Sequence, residues 1–174
     1  EMQNILTATC EDVVAIADYN GRQIYVLDSN QKICEITTNM PIRNLAVAGN
    51  GRVAVAVADT KITWVYIYNP DGEMAYEIKT TMGQSGYPMT FSLSPNGELL
   101  GLTCAYVDAG VVKSHIAFYN FGAVGSNKAD YIVSADTYPD TIIPYIRFMN
   151  GSTAVAVGED RMIVYQGSQK PTFQ

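Results

Sequence analysis

The chain has 174 residues, a formal net charge of −6 and only 11 Lys and Arg residues. Nucleic acids and anionic membrane surfaces attract clustered positive charge, so this composition argues against both as partners. No apolar run approaches the roughly 18 to 20 residues of a membrane span, so we expect no membrane insertion of this segment. The length favours a single domain over residues 1–174.

Alternating apolar residues predict β-strands along nearly the whole chain, and helical periodicity is almost absent. In the run from Val53 to Val57 every residue is apolar, which indicates a strand covered on both faces. The strands form four units of four, with approximate bounds 3–39, 40–82, 83–137 and 138–174. The predicted strands are residues 5–9, 13–18, 23–28 and 32–37; 43–48, 52–58, 63–69 and 73–80; 89–94, 98–104, 113–120 and 131–135; and 145–148, 153–158 and 161–166, with a ragged end at 171–174.

Each unit contains one apolar and aromatic run that ends in Asp, Asn or Gln. The four runs begin at residues 24, 65, 116 and 162, so their spacings are 41, 51 and 46 residues. A repeat of this length built only from strands is typical of β-propeller blades. The sequence therefore predicts an all-β fold of about four propeller-type blades, each with four antiparallel strands; the alternative is a β-sandwich.

The turns and prolines repeat in register with the strands. Asn-Gly pairs at 50–51, 96–97 and 150–151 lie between the first and second strands of three units, where positive φ is needed. Pro41, Pro88 and Pro144 each precede a first strand, where a missing N–H costs little. The fourth unit ends in a poor outer strand, so we expect a half or a fragment of a larger propeller. Self-association with a second copy, or missing blades, would complete it.

The segment Phe91-Ser-Leu-Ser-Pro-Asn-Gly-Glu-Leu-Leu100 resembles the strand, Ser-Pro-Asn-Gly turn and strand of WD40-like and YVTN-like propellers. Residues 65–73 resemble their third strand and the turn after it. Trp64 is not followed by Asp, so the Trp-Asp signature of WD40 repeats is missing. The chain also resembles uncharacterised bacterial propeller proteins held outside the cell by an N-terminal membrane helix. That resemblance implies an extracytoplasmic or cell-surface location.

Motifs for catalysis or metal binding are weak. His115 is the single histidine, and no local pattern supplies a nucleophile or an orienting carboxylate. Residues 83–86, Gly-Gln-Ser-Gly, lack the spacing of a nucleophile elbow. Cys10, Cys34 and Cys104 lack metal-site spacing, and a Cys10–Cys34 disulfide stays open. We therefore expect no cofactor, no metal and no enzymatic activity.

The third unit interrupts the repeat with long connections at 105–112, 121–129 and 136–141. Connections between second and third strands open on the same rim as connections between blades, and rim loops are common binding sites. Tyrosine provides contact area at low entropic cost. The candidate binding residues on this rim are Tyr87, Tyr106, Asp108, Tyr138 and Asp140.

Arg43 and Arg147 lie in first strands, which are innermost in propeller blades, and could meet an anion in a central channel. The sequence therefore predicts a non-enzymatic scaffold that binds a protein or a small ligand. The alternatives are a propeller hydrolase of the lactonase type and a small-anion sensor that uses channel residues.

Overall fold

The computed structural model describes residues 2–58, 62–81 and 85–174, and it is all-β, as predicted. Within these ranges, sixteen strands form four sheets of four antiparallel strands, and each sheet uses four strands consecutive in the chain. The first sheet holds β1 (Ile5–Cys10), β2 (Val13–Asp18), β3 (Gln23–Leu27) and β4 (Lys32–Thr37); the second holds β5 (Ile42–Val47), β6 (Val53–Ala58), β7 (Ile62–Tyr68) and β8 (Met74–Thr81). The third holds β9 (Tyr87–Leu93), β10 (Leu99–Asp108), β11 (Val111–Asn120) and β12 (Ile132–Tyr138); the fourth holds β13 (Tyr145–Asn150), β14 (Thr153–Val157), β15 (Met162–Gln166) and β16 (Thr172–Phe173).

The chain divides into two compact units, Glu1–Thr80 and Thr81–Gln174. The first unit contains the first and second sheets, and the second unit contains the third and fourth sheets. The predicted boundary between the second and third blades, at 82–83, lies outside the described residues. The single-domain organisation stays a prediction.

In the first unit, one face of the first sheet packs against the second sheet. Ala15, Ile24 and Val26 of the first sheet share a buried cluster with Val53 and Val55 of the second. Alternation in the strands places these side chains on the inner faces. Two backbone hydrogen bonds join the sheets, from the Asn20 N–H to the Ile42 carbonyl and from the Ile42 N–H to the Gly21 carbonyl, both 2.9 Å long.

In the second unit, an aromatic cluster fills the space between the third and fourth sheets. The Phe118 ring lies 4.8 Å from the Tyr165 ring and 6.1 Å from the Phe148 ring, centroid to centroid. Gly101 keeps this space open, because a Cβ there would lie 2.8 Å from Ile146 Cδ1 and 3.0 Å from Phe118 Cε1. Interiors packed this closely do not accept an added methyl group without a shift.

Several local predictions are confirmed and several need correction. Gly51 and Gly97 have φ of 88° and 72°, as predicted for their Asn-Gly turns, whereas Gly151 in the third predicted turn does not have a positive φ. Pro88, expected before a strand, lies inside β9, which is an edge strand with a register shift beside it. The connection expected at 105–112 is largely strand, and β12 extends to Tyr138 instead of ending at 135. The three cysteines are thiols in the structure, and Cys104 is buried.

Candidate functional site

One row of paired residues crosses the end of the third sheet. Tyr87 in β9 pairs with Ala105 in β10, Ala105 pairs with Ser114 in β11, and Ser114 pairs with Tyr138 in β12. Residues directly opposite each other in antiparallel strands point to the same face. Two of the predicted rim tyrosines, Tyr87 and Tyr138, therefore share one end and one face of the sheet.

Beyond this row, β10 and β11 continue as a two-stranded hairpin, which we call the extended hairpin and define as residues 106–113. Asp108 pairs with Val111, so the turn consists of Ala109 and Gly110, which have φ of 51° and 80°. Positive φ at both central residues is the type I′ pattern, whose twist matches that of the flanking strands. The sequence had suggested a loop here, because Ala-Gly is a weaker turn signal than Asn-Gly.

The extended hairpin exposes apolar side chains. Val107 is 67% exposed and pairs with exposed Val112, so both lie on one face. By alternation this is the face of Ala105 and Ser114, where Tyr87 is 50% exposed. Val111, also exposed, lies on the opposite face. These valines belong to the site although sequence reasoning missed them; the alternating apolar pattern around a two-residue turn was the available signal.

The opposite face of the extended hairpin carries the predicted residues Tyr106 and Asp108. Tyr106 is half-buried and pairs with Lys113. The Lys113 ammonium donates to the Asp108 carboxylate over 2.7 Å, which lowers the pKa of Asp108 and raises that of Lys113. The charged pair therefore lies on the face of Val111, opposite the exposed Val107 and Val112.

Tyr138 is tied into the fourth sheet. Its hydroxyl lies 2.6 Å from the hydroxyl of fully buried Tyr165, and burial raises the pKa of both phenols. In the same row, buried Ser114 accepts a 2.8 Å hydrogen bond from the Ile143 N–H. Tyr138 therefore joins sheets, and its hydroxyl is committed to that contact.

Asp140 is also engaged within the second unit. Arg161, in the turn between β14 and β15, donates to Asp140 at 3.1 Å and to Asp160 at 2.7 Å. Thr141 donates to the same Asp160 carboxylate at 2.9 Å. Hydrogen bonds from Arg161 and then Thr141 lower the pKa of Asp160 to about 2, so this carboxylate is ionised at neutral pH.

The two candidate channel arginines occupy edge strands, β5 and β13, in different units. The Arg43 guanidinium donates to the Asn20 side-chain oxygen and lies 5.3 Å from the centroid of the Tyr19 ring. That distance allows a cation–π contact. Arg147 is exposed. Arg43 is thus held by the turn between β2 and β3.

His115 pairs with Cys104 across β10 and β11, and its Nδ1 lies 3.4 Å from the Thr137 hydroxyl. Burial lowers the pKa of His115 and raises the pKa of the Cys104 thiol to about 12, so the thiol is protonated at neutral pH.

Within the described ranges, no three His, Cys, Asp or Glu residues are arranged to hold a metal ion. The same part of the chain contains no helix with the length and hydrophobicity that a membrane crossing requires.

A cleft of about 220 Å³ lies beside the first sheet and contains no predicted site residue. Its charged groups already have partners: Arg22 donates to the Asn39 carbonyl, and Asp18 accepts the N–H groups of Gln3 and Asn4 at 3.2 and 2.7 Å. The lining residues are Met2, Asp18, Gly21, Arg22, Gln23 and Tyr25.

The structure therefore brings Tyr87, Tyr106, Asp108 and Tyr138 to one end of the third sheet. It divides them between two faces, with Tyr87 and Tyr138 on one and Tyr106 and Asp108 on the other. Tyr87 and the extended hairpin offer the exposed surface at this end.

The fold is that of β-propellers. The chain is similar to Hsv2 of Kluyvelomyces marxianus, with 12% identity and a TM-score of 0.63 over 97% of this chain and 59% of that one. It is similar to the β-propeller domain of the Trilobed protease of Pyrococcus furiosus, with 8% identity and a TM-score of 0.57 over 100% and 58%. It is also similar to a putative 6-phosphogluconolactonase of Bacteroides uniformis, with 14% identity and a TM-score of 0.56 over 98% and 53%. The chain thus spans between half and three-fifths of the length of these proteins.

In sequence, residues 1–174 match the model of DUF5711, a family of unknown function. No curated protein sequence matches the chain.

Proposed function

We propose a non-enzymatic binding function for this chain, which belongs to DUF5711, a family of unknown function. The chain holds a protein partner at the end of the third sheet, on the surface formed by the extended hairpin and Tyr87. The observation that carries this proposal is the projection of the extended hairpin beyond its four-stranded sheet with its valines exposed.

Exposed apolar side chains that lie together on one face favour a protein partner. Single exposed hydrophobic residues are common, but contiguous apolar patches on soluble domains mark interaction sites. Val107 and Val112 of the extended hairpin and Tyr87 of β9 share one face, and all three lie on hydrogen-bonded strands. A rigid presentation reduces the ordering cost of binding.

The charge pattern supports the same class of partner. The net charge of −6 disfavours nucleic acid, and the Asp108–Lys113 ion pair places its charges on the face opposite Val107 and Val112. Tyr106, half-buried on the other face, supports the hairpin from behind in this proposal. Tyr138 and Asp140 then act as positioning residues, because Tyr138 contacts Tyr165 of the fourth sheet and Asp140 fixes the connection from β12 to β13 through Arg161.

The WD40-like and YVTN-like resemblance of residues 91–100 supports a repeat scaffold, and we propose an extracytoplasmic or cell-surface location on the likeness to bacterial propellers. The similar solved structures include a lactonase, a protease domain and Hsv2, at 8 to 14% identity. Likeness at that level concerns the fold, so the binding function rests on the hairpin surface.

A phage-displayed random peptide library, selected on the immobilised chain, tests the proposal. Peptides enriched on the wild type should bind the double variant Val107→Asp, Val112→Asp at least about ten-fold more weakly, since buried charge at an interface is costly. The matched control is Met74→Asp, at a 53% exposed strand position in the second sheet. Thermal unfolding checks that both variants fold.

Two results would overturn the proposal. One is the absence of any enriched peptide on the wild-type chain. The other is equal peptide affinity for the double variant and the Met74→Asp control, which would place the binding surface elsewhere.

A further inference from the structure

The sequence contains four Asn-Gly pairs, at 20–21, 50–51, 96–97 and 150–151. In such a pair the backbone nitrogen of the glycine can attack the side-chain amide carbon of the asparagine, because glycine has no Cβ to obstruct the approach. The attack requires a glycine N–H that can lose its proton and a peptide plane that can turn towards the asparagine side chain. The turns around the four pairs differ in both respects.

In three of the pairs, the glycine N–H closes a tight turn. The glycine is the fourth residue of the turn, and its N–H donates to the carbonyl of the first residue. This hydrogen bond fixes the peptide plane between asparagine and glycine and occupies the proton that must leave. The three bonds run from Gly21 to Asp18 at 2.8 Å, from Gly51 to Ala48 at 3.0 Å and from Gly97 to Ser94 at 2.8 Å.

The fourth pair lies at a different position in its turn. Asn150 is the last residue of β13 and pairs with Thr153, so Gly151 is the first of the two residues that connect β13 to β14. Among the described residues, no carbonyl accepts the Gly151 N–H to close a turn. Gly151 is exposed, whereas Gly51 and Gly97 are buried. The nitrogen of Gly151 is therefore accessible to water and to base.

Ser152 polarises the side-chain amide of Asn150. The Asn150 Oδ1 accepts hydrogen bonds from the Ser152 N–H at 2.9 Å and from the Ser152 hydroxyl at 3.2 Å. Two donors on this oxygen stabilise the negative charge that develops there when a nitrogen adds to the amide carbon. Asn96 Oδ1 has comparable donors, the Glu98 N–H at 3.2 Å and the Ser94 hydroxyl at 2.7 Å. The glycine nitrogen, and not the amide, therefore distinguishes Asn150 from Asn96.

We propose that Asn150 is a site of spontaneous deamidation in the folded chain, and that the asparagines of the other three pairs are protected by their turns. The deprotonated nitrogen of Gly151 forms a bond to the Asn150 Cγ, and the amide nitrogen leaves as ammonia, taking up that proton. One water then opens the resulting succinimide ring. It breaks the bond from the nitrogen either to the side-chain carbon, which gives aspartate, or to the main-chain carbon, which gives isoaspartate. The net reaction consumes one water and releases one ammonia, with no oxidation or reduction.

The modification changes the turn between β13 and β14. Either product adds one negative charge to a chain whose net charge is already −6. Isoaspartate also routes the main chain through the former side chain, which adds one methylene group to the turn. Because Asn150 and Thr153 form the pair next to this turn, the longer main chain should weaken their pairing. This inference is independent of the binding function proposed above, since the turn shares no residue with the extended hairpin or with Tyr87.

Peptide mapping by mass spectrometry, on samples taken while the folded chain is incubated in mildly alkaline buffer, tests the inference. Fragmentation by electron transfer distinguishes aspartate from isoaspartate at each position. The rate at Asn150 should exceed the rate at each of the other three asparagines by at least about ten-fold, or about 1.4 kcal/mol, because those sites must first break a turn hydrogen bond. The Gly151 amide hydrogen should also exchange faster than those of the other three glycines, since both reactions begin with the loss of the same proton.

Two controls separate the effect of the fold from that of the sequence. In denaturant every pair is an unfolded Asn-Gly sequence, so the four rates should agree within about three-fold. The variant Gly151→Ala keeps the turn, since an added Cβ meets no atom within 4 Å and φ is not positive there. It should slow deamidation of Asn150 in the folded chain by about ten-fold, because the Cβ obstructs the approach of the nitrogen. Thermal unfolding verifies the fold of the variant.

Any of four results contradicts the inference. A rate at Asn50 or Asn96 equal to that at Asn150 in the folded chain would show that the closed turns give no protection. A rate at Asn150 that is equally dominant in denaturant would attribute the preference to the local sequence. An unmodified Asn150 under conditions that modify the denatured chain would show that its turn resists the attack. An unchanged rate in Gly151→Ala would exclude the nitrogen of residue 151 as the nucleophile.

Discussion

Ser114 holds the segment that precedes β13, and its replacement by alanine should measurably lower the stability of the chain. The Ser114 side chain is fully buried and accepts a 2.8 Å hydrogen bond from the N–H of Ile143, which is also fully buried. The Ser114→Ala variant keeps nearly the same shape and removes the hydroxyl that accepts this hydrogen bond.

The expected loss is about 2 kcal/mol of unfolding free energy. A buried donor left without its partner costs roughly 1 to 3 kcal/mol, because the N–H gave up water on folding and regains nothing. For a chain of this size, about 2 kcal/mol lowers Tm by about 4 to 8 °C.

Urea unfolding gives the free energy and thermal unfolding gives Tm, while amide hydrogen exchange reports on Ile143 directly. The exchange of the Ile143 amide should accelerate in Ser114→Ala. Ser126→Ala is the matched control, since the exposed Ser126 hydroxyl donates to the Ala123 carbonyl at 3.0 Å near the surface. This control should change stability by less than about 0.5 kcal/mol.

The reasoning fails if Ser114→Ala and Ser126→Ala lose the same free energy. That result would mean that the Ile143 N–H finds water or another acceptor as readily as the serine. Unchanged exchange at Ile143 would lead to the same conclusion.

Three further predictions concern the third sheet. Ala109→Asn should raise the unfolding free energy by about 1 kcal/mol in urea, because Asn adopts the φ of 51° with less strain than Ala. Cys104 should react with a thiol reagent far more slowly than the other two cysteines, since burial raises its pKa to about 12. His115 should make stability fall as the pH drops below its ordinary pKa of 6.5, and His115→Gln should remove that part of the pH dependence.

The sign of the His115 effect follows from its lowered pKa in the folded chain. Above pH 6.5 the imidazole is neutral in both the folded and the unfolded chain, so its contribution to the unfolding free energy is fully present. Below pH 6.5 the unfolded chain binds the proton first, and stability is lost until the pH passes the lower pKa of the folded state. An identical pH dependence in His115→Gln would contradict this.

Unchanged stability in Ala109→Asn would show that the turn opens independently of the sheet. Equal rates of reaction of all three cysteines with the thiol reagent would show that the strand holding Cys104 is accessible.

The loop expected at 105–112 illustrates what sequence reasoning could not resolve. Val107 and Val112 lie at equal distances from Ala109-Gly110, but the sequence alone does not show whether the two strands stay paired beyond the sheet. The neighbouring strands stop before the hairpin: the last residue of β10 to pair with β9 is Ala105, and the last residue of β11 to pair with β12 is Ser114. The same limit applies to Tyr138: its position in the chain indicated a rim, and its contact with Tyr165 depends on how the third and fourth sheets pack.

Alternation, Asn-Gly turns and a repeat of 41 to 51 residues were enough to predict four antiparallel sheets, because strand period and turn conformation are local properties of the chain. Only the tertiary structure decided which side chains are available. Tyr138, Asp140 and Arg43 are engaged by partners distant in sequence, while Val107 and Met162 are exposed. Exposure depends on which sheet covers which face, and that information is carried by packing between sheets and not by the pattern within any one strand.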